Sequence, residues 1–181
     1  VKGCPAHLPS VDLWPGELVV VERPTVVVTV LGSCVSVTLL HRRSGLGAIC
    51  HALLPEGAVW GNEGGGFRYV EPSVRYMTEE FRRRGIGPRE TEVKVFGGGD
   101  VLVTNMGPGE LTVGARNVQA ALGALQGEGY NVAASDVGGK RGRKIYFDTS
   151  TGAVLLKRLS KAVPEERLGE RVAGRPGWER T

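Results

Sequence analysis

The stretch TVVVTVLGSCVSVTLL, from Thr25 to Leu40, decides how the fold is read. It is the most apolar run in the chain, yet it is shorter than the ~20 residues that a membrane-spanning helix needs. Thr29, Ser36 and Thr38 place hydroxyls within it, and the pair Gly32–Ser33 breaks it. β-Branched residues dominate both halves, so the run reads as two strands, Thr25–Leu31 and Cys34–Leu40. On the N-terminal side, Arg23–Pro24 separates it from another β-branched run, Glu17–Val21, a break that a central strand would not contain. On the C-terminal side, the turn-like His41–Gly45 leads into Leu46–Leu54, which stops at Pro55. Strands joined this tightly are expected to be antiparallel neighbours.

Further outward, residues 1–16 carry Pro5, Pro9 and Pro15 and read as an irregular lead-in. A glycine-rich loop, Gly57–Gly66, precedes an expected helix over Pro72–Arg84, with Pro72 at its first position and Val74, Met77 and Phe81 on one face. Glu92–Phe96 is an expected strand running into Gly97, Gly98 and Gly99. A second helix over Ala115–Gln126 places Val118, Ala121, Leu122 and Leu125 together, with Gly129 available to end it. Tyr130–Ser135, Arg143–Phe147 and Ala153–Leu159 read as three more strands. The expected fold class is α/β, with mostly antiparallel sheets packed with two main helices in one compact domain over residues 17–159. Residues 160–181 are rich in Glu, Arg, Gly and Pro and read as a mobile tail.

The composition excludes several function classes. With 41% hydrophobic and 23% charged residues in a chain of 181, this is ordinary globular material. The net charge of +4 is spread over short clusters (Arg42–Arg43, Arg82–Arg84, Lys140–Lys144), and aromatics make up only 6%. Nucleic-acid binding wants a basic surface interleaved with stacking rings, so these clusters read as solvated surface instead. The cysteines, Cys4, Cys34 and Cys50, are odd in number and form no C-x-x-C pair, and no signal-peptide pattern accompanies them. The expectation is a reducing cytoplasm and thiol chemistry or burial, not a disulfide framework.

Gly32 and Ser33 weaken a strand immediately before Cys34, which makes sense where the backbone must bend to present a thiol or to support an oxyanion. Against this stands the common fate of a free cysteine, burial as a small hydrophobe. His51 shifts the balance, because it lies in an otherwise apolar strand and needs partners for its ring nitrogens. Side chains alternate along a strand, so His51 shares a face with Ile49 and Leu53 while Cys50 and Ala52 point the other way. Cys34, Cys50, His41 and His51 are also zinc-ligand types, but they lack the paired spacing of zinc sites. No metal and no cofactor are therefore expected. The glycines at 97–99 and at 138–139 read as tight turns rather than phosphate loops, and Arg143 and Lys144 as strand-edge charges.

These residues carry a resemblance. TVLGSCV (Thr29–Val35) followed by GAICHALLP (Gly47–Pro55), with 17 residues from the cysteine to the histidine, resembles the signature of the chemoreceptor glutamine deamidases, the CheD family. The resemblance continues through KVFGG (Lys94–Gly98), VGARNV (Val113–Val118) and DVGGKRGRKIYFD (Asp136–Asp148). It implies a compact fold related to deamidating bacterial toxins, a cytoplasmic setting, and hydrolysis of receptor glutamines to glutamate through a cysteine thioester. It assigns Cys34 as nucleophile, His51 as general base whose cation would stabilise the thiolate, and a threonine upstream as third member. Many members place that threonine six residues before the cysteine, where this chain has Val28; Thr29, at five, is the candidate here. Gly32 and Ser33 would support the oxyanion. The substrates implied are methyl-accepting chemotaxis receptors, and the partner implied is a CheC-type phosphatase. Two other readings are a noncatalytic adaptor for that phosphatase or for receptors, and a different thiol hydrolase such as a peptidase or transglutaminase-like enzyme.

Overall fold

The computed structural model describes residues 8–56, 66–101 and 109–160. Cys4, nearly all of the loop Gly57–Gly66 and the tail beyond Ser160 lie outside the described residues. Among the described residues, nine strands and two α-helices follow in the order β1 (Ser10–Asp12), β2 (Leu18–Val21), β3 (Val26–Leu31), β4 (Val35–His41), β5 (Leu46–Cys50), α1 (Val70–Arg83), β6 (Glu92–Gly97), α2 (Val113–Gly127), β7 (Val132–Val137), β8 (Arg143–Asp148) and β9 (Val154–Arg158).

The strands form two sheets, ordered β1-β3-β8-β9 and β2-β5-β4-β6-β7. β1–β3 and β6–β7 are parallel and the other pairs antiparallel, but among the tightly joined strands only β4–β5 and β8–β9 are neighbours. β2 pairs β5 rather than β3, and β3 and β4 lie in different sheets, because the breaks at Arg23–Pro24 and Gly32–Ser33 redirect the chain instead of folding it back as a hairpin. The long apolar run thus splits at Gly32–Ser33, its halves going to different sheets. Strand alternation then builds two cores. Val35, Val37 and Leu39 of β4, with Ala48 and Cys50 of β5, face both helices. Val27 and Leu31 of β3 meet Leu40, Ile49 and Phe96 of the five-stranded sheet and Ile145 and Phe147 of β8, so a second core fills the space between the sheets. The result is three layers, helices over one sheet over another.

Several expectations shift. Within the lead-in, Ser10–Asp12 form a strand beside β3, because Val26–Val28 offer it an unpaired edge. α1 starts two residues before Pro72, since Val70 N–H donates to the Leu54 carbonyl (2.9 Å) and first-turn N–H groups need no intrahelical acceptor. α2 ends as Gly129 suggests, with Tyr130 N–H returning to Leu125 O (2.9 Å), and α1 ends in the same way past Gly85, where Ile86 N–H returns to Phe81 O (3.0 Å). On α2, Ala121 and Leu125 are buried but Leu122 is 41% exposed, and the polar Asn117 takes a fully buried position instead. Arg143 is no edge charge. It is buried on the inter-sheet side of β8, and its guanidinium donates to the backbone and carboxylate of Asp136 and to the Gly138 carbonyl, tying β7 of one sheet to β8 of the other.

The glycines after β6 do a specific packing job. A Cβ on Gly114 would lie 2.6 Å from Gly98 O and 2.9 Å from Gly99 O, so the first turn of α2 rests directly on that backbone. Gly98 and Gly99 in turn donate to the carbonyls of Cys34 (2.7 Å) and Gly32 (2.8 Å). Gly123, on the same helix, has open space around it. Urea unfolding of Gly114→Ala should therefore show a loss of about 1–3 kcal/mol from overpacking. Gly123→Ala should gain up to ~1 kcal/mol from helix propensity. Equal effects at the two positions would contradict the close approach.

Candidate active site

His51 is held by backbone on both sides before its ring is considered. Its N–H donates to Glu17 O (2.9 Å) and its carbonyl accepts from Gly16 N–H (2.7 Å), while Ala52 exchanges two hydrogen bonds with Val35 (both 2.9 Å). That pairing continues the β4–β5 register, in which Thr38 faces Ile49, so position 36 falls opposite His51 and Cys34 lies diagonal to it on the same face. Diagonal neighbours on one face of an antiparallel pair are about 7–8 Å apart at the backbone, within reach of their side chains. Ile49 packs between the sheets whereas Cys50 and Ala52 face the helices, as alternation requires. Cys34 packs against the inter-sheet cluster and keeps partial solvent access. Cys50 is fully buried, and desolvation pushes its thiol up to about 12, so it stays protonated and out of reach.

Thr29 arrives from the other sheet. It shares the face of Val27 and Leu31, and its Oγ1 lies 2.8 Å from His51 Nδ1. The same hydroxyl donates to the Leu13 carbonyl at 2.8 Å. A hydroxyl has one proton, so with that proton on Leu13 the oxygen accepts from Nδ1–H. This fixes the tautomer: Nε2 carries the lone pair. Nε2 is buried and has no hydrogen-bond partner among the described residues. Burial pushes the imidazole down to about 4, against a smaller upward pull from hydrogen bonding to the Leu13 backbone. The ring is therefore neutral near pH 7, a proton acceptor at rest. The expectation of a resident imidazolium beside the sulfur gives way to this, because a ring 1% exposed pays too much desolvation to hold a charge.

Gly32 has an ordinary backbone, but a Cβ there would stand 2.9 Å from a Val101 methyl, so the bend before the thiol needs the missing side chain for space. The Ser33 carbonyl accepts from Asn117 Nδ2 at 2.9 Å, and the same nitrogen donates to Leu53 O at 2.8 Å. His41 sits at the far end of β4, bonded through Nδ1 to Ser44 (2.8 Å), and joins nothing at the site. Among the described residues no group of His, Cys, Asp and Glu side chains is arranged to hold a metal. Thus Thr29 meets the His51 ring directly, and the strand register sets Cys34 diagonal to His51 on the same face, with Gly32 and Ser33 at the bend before it. Sequence reasoning missed the Leu13 carbonyl, which no side-chain pattern could reveal, and Asn117. Its one available signal was an amide on the apolar side of α2.

Residues 53–158 match the family model described as CheD chemotactic sensory transduction. A protein of Geobacter sulfurreducens named probable chemoreceptor glutamine deamidase CheD 2 is 54% identical over 155 residues, covering 85% of this chain and 92% of that one. A protein of Thermococcus kodakarensis named probable chemoreceptor glutamine deamidase CheD is 38% identical over 152 residues, covering 83% and 94%. Among solved structures, the hypothetical protein YfiH of Bacillus licheniformis superposes with a TM-score of 0.45 at 13% identity, over 66% of this chain and 49% of that one. By its identity to these relatives over most of its length, this chain belongs to the CheD family.

Proposed function

We propose that this protein is a protein-glutamine deamidase that converts glutamines of methyl-accepting chemotaxis receptors to glutamate, with Cys34 as nucleophile, His51 as general base and Thr29 as the residue that orients it. The observation that carries the reading is the Thr29 hydroxyl, spent on Leu13 O and therefore accepting from His51 Nδ1, which leaves Nε2 bare on the face that Cys34 shares. The substrate class rests on the names of the relatives.

The chemistry follows. Sγ of Cys34 passes its proton to Nε2 of His51 as it attacks the carboxamide carbon, and the carbonyl oxygen takes the negative charge. The imidazolium so formed gives the proton to the departing nitrogen, ammonia leaves, and a thioester remains. His51 then takes a proton from water as the water attacks the thioester. The carboxylate leaves and the thiol is restored. Thr29 keeps the ring in one tautomer throughout, the task of the third residue in such triads. The product adds a negative charge to the receptor and a carboxylate that methylation can use.

A CheC-type phosphatase as partner and a cytoplasmic location belong to the same proposal; among the described residues no helix is long and apolar enough to cross a membrane. Ammonia release from purified receptor cytoplasmic domains tests the activity. Cys34→Ala should abolish it in a folded protein, and Cys50→Ala should retain most of it. Wild-type release from Cys34→Ala would remove the nucleophile, and no release from the wild type would favour an adaptor.

His51 stays unprotonated until the pH approaches about 4, so it assists Cys34 throughout the range below neutrality. Alkylation of Cys34 should accordingly persist from pH 7 down through pH 5 and fail only as the ring takes up its proton. In His51→Ala the same reaction should follow a free thiol, near pH 8.5. Superimposable profiles would take His51 out of the pair.

Thr29 and Val28 point to opposite faces of β3, so only Thr29 reaches the ring. Thr29→Ala should lower turnover by about ten- to a hundredfold, the loss of one orienting hydrogen bond of ~1–3 kcal/mol. Val28→Ala should cost stability and leave turnover per folded molecule nearly unchanged. A silent Thr29→Ala would reduce the triad to a dyad.

A further inference from the structure

Three consecutive carbonyls on the nucleophile bend are each held by a different donor. Gly32 O accepts from Gly99 N–H (2.8 Å) and Cys34 O from Gly98 N–H (2.7 Å), both from the end of β6. The one between them, Ser33 O, is held by a side chain, Asn117 Nδ2 at 2.9 Å. Asn117 is fully buried on α2, in the layer that covers the opposite face of the five-stranded sheet from the Thr29–His51 pair. Its amide orientation is dictated by its surroundings, since two carbonyls, Ser33 O and Leu53 O (2.8 Å), require donors and only the NH₂ supplies them.

The described residues contain no cis peptide, and in a trans peptide the carbonyl and the next N–H point in opposite directions. A Ser33 carbonyl turned toward α2 therefore turns the Cys34 N–H toward the inter-sheet side, where Cys34 and His51 lie. We infer that Asn117 is a positioning residue whose amide, by holding Ser33 O, aims the Cys34 N–H at the oxyanion formed when Cys34 attacks the glutamine carboxamide. Its second bond, to Leu53 O, locks that peptide to the strand extension two residues beyond His51, so donor, nucleophile and base share one support. The inference rests on the proposed role of Cys34 and deepens it by naming an oxyanion donor and what fixes it.

Asn117→Asp has nearly the same shape, but its carboxylate sets an acceptor against two carbonyls. Two reactions of Cys34 separate the roles. Deamidation passes through an oxyanion, whereas alkylation by iodoacetamide attacks a saturated carbon and forms none. With receptor cytoplasmic domain as substrate, kcat should fall about a hundredfold, the size of losing one oxyanion donor. KM and the alkylation rate of Cys34 should stay near wild type. An unchanged kcat, or an alkylation rate that falls in step with kcat, would overturn the inference. Asn117→Ser retains one donor and should lose about tenfold in kcat with the same split, which keeps the test available if the aspartate variant does not fold. In the wild type, a glutamine-analogue aldehyde that adds to Cys34 should move the Cys34 amide proton downfield in the NMR spectrum; an unmoved resonance in the adduct would also overturn it. Turnover retained by Cys34→Ala would instead sink the underlying mechanism. An inactive Cys34→Ala beside a fully active Asn117→Asp would sink this inference alone.

Discussion

One hydroxyl joins the two sheets at the point where the chemistry is proposed. Thr29, on β3 of one sheet, gives its proton to Leu13 and takes one from His51, on the extension of β5 in the other. The arrangement is directional: if Leu13 O did not accept, Thr29 could donate to Nδ1 instead and the ring could carry its proton on Nε2, the wrong side for a base. The usefulness of His51 is thus set by a backbone carbonyl outside the strands that carry the three side chains. Burial completes the constraint. A ring this deep holds no charge near neutrality, so in the proposed mechanism it would act as a base and become a cation only beside the charge it creates.

The layers explain how such a site is reached at all. Cys34 stands where one apolar run leaves the inter-sheet core and enters the five-stranded sheet, so it is packed on one side and partly open on the other. The bend that puts it there is narrow, and the glycines at 97–99 and 114 let α2 and the end of β6 close over its back. Arg143 contributes farther along the same seam, its buried guanidinium gathering the carbonyls of Asp136 and Gly138 around the turn that follows β7. Gly138 N–H and Gly139 O in turn bond Gly97 O (2.9 Å) and Asp100 N–H (2.7 Å), so the second glycine pair borders the first.

Much of this was legible because strand alternation and small-residue breaks are local. Gly32–Ser33 marked the bend, the parity of Ile49, His51 and Leu53 separated His51 from Cys50, and the offset of Thr29 from Val28 chose the residue that meets the ring. The apolar face of α1 was likewise plain from Val74, Met77 and Phe81. What the sequence concealed depends on partners far along the chain. Leu13 acts through its carbonyl, which every residue has. β1 is too short and too polar to announce itself, and exists because β3 offers an edge. Arg143 looked like a strand-edge charge and Asn117 drew no reading of its own, and the burial of both is intelligible only once the carbonyls they satisfy are in place. Leu122 erred the other way, since the rotation of α2 is set by Gly114 against Gly98 and Gly99 rather than by its most hydrophobic stripe.

The central claim is that the receptor glutamine passes through a thioester on Cys34, and its most direct test is partitioning by hydroxylamine. A thioester is open to hydroxylamine as well as to water, so receptor domain incubated with the protein and rising hydroxylamine should accumulate glutamine hydroxamate at the modified positions, at the expense of glutamate, as read by peptide mass spectrometry. The account predicts that hydroxamate appears with the wild type and with Cys50→Ala and is absent with Cys34→Ala. Glutamate formation that continues in Cys34→Ala, with no hydroxamate at any hydroxylamine concentration in the wild type, would contradict it.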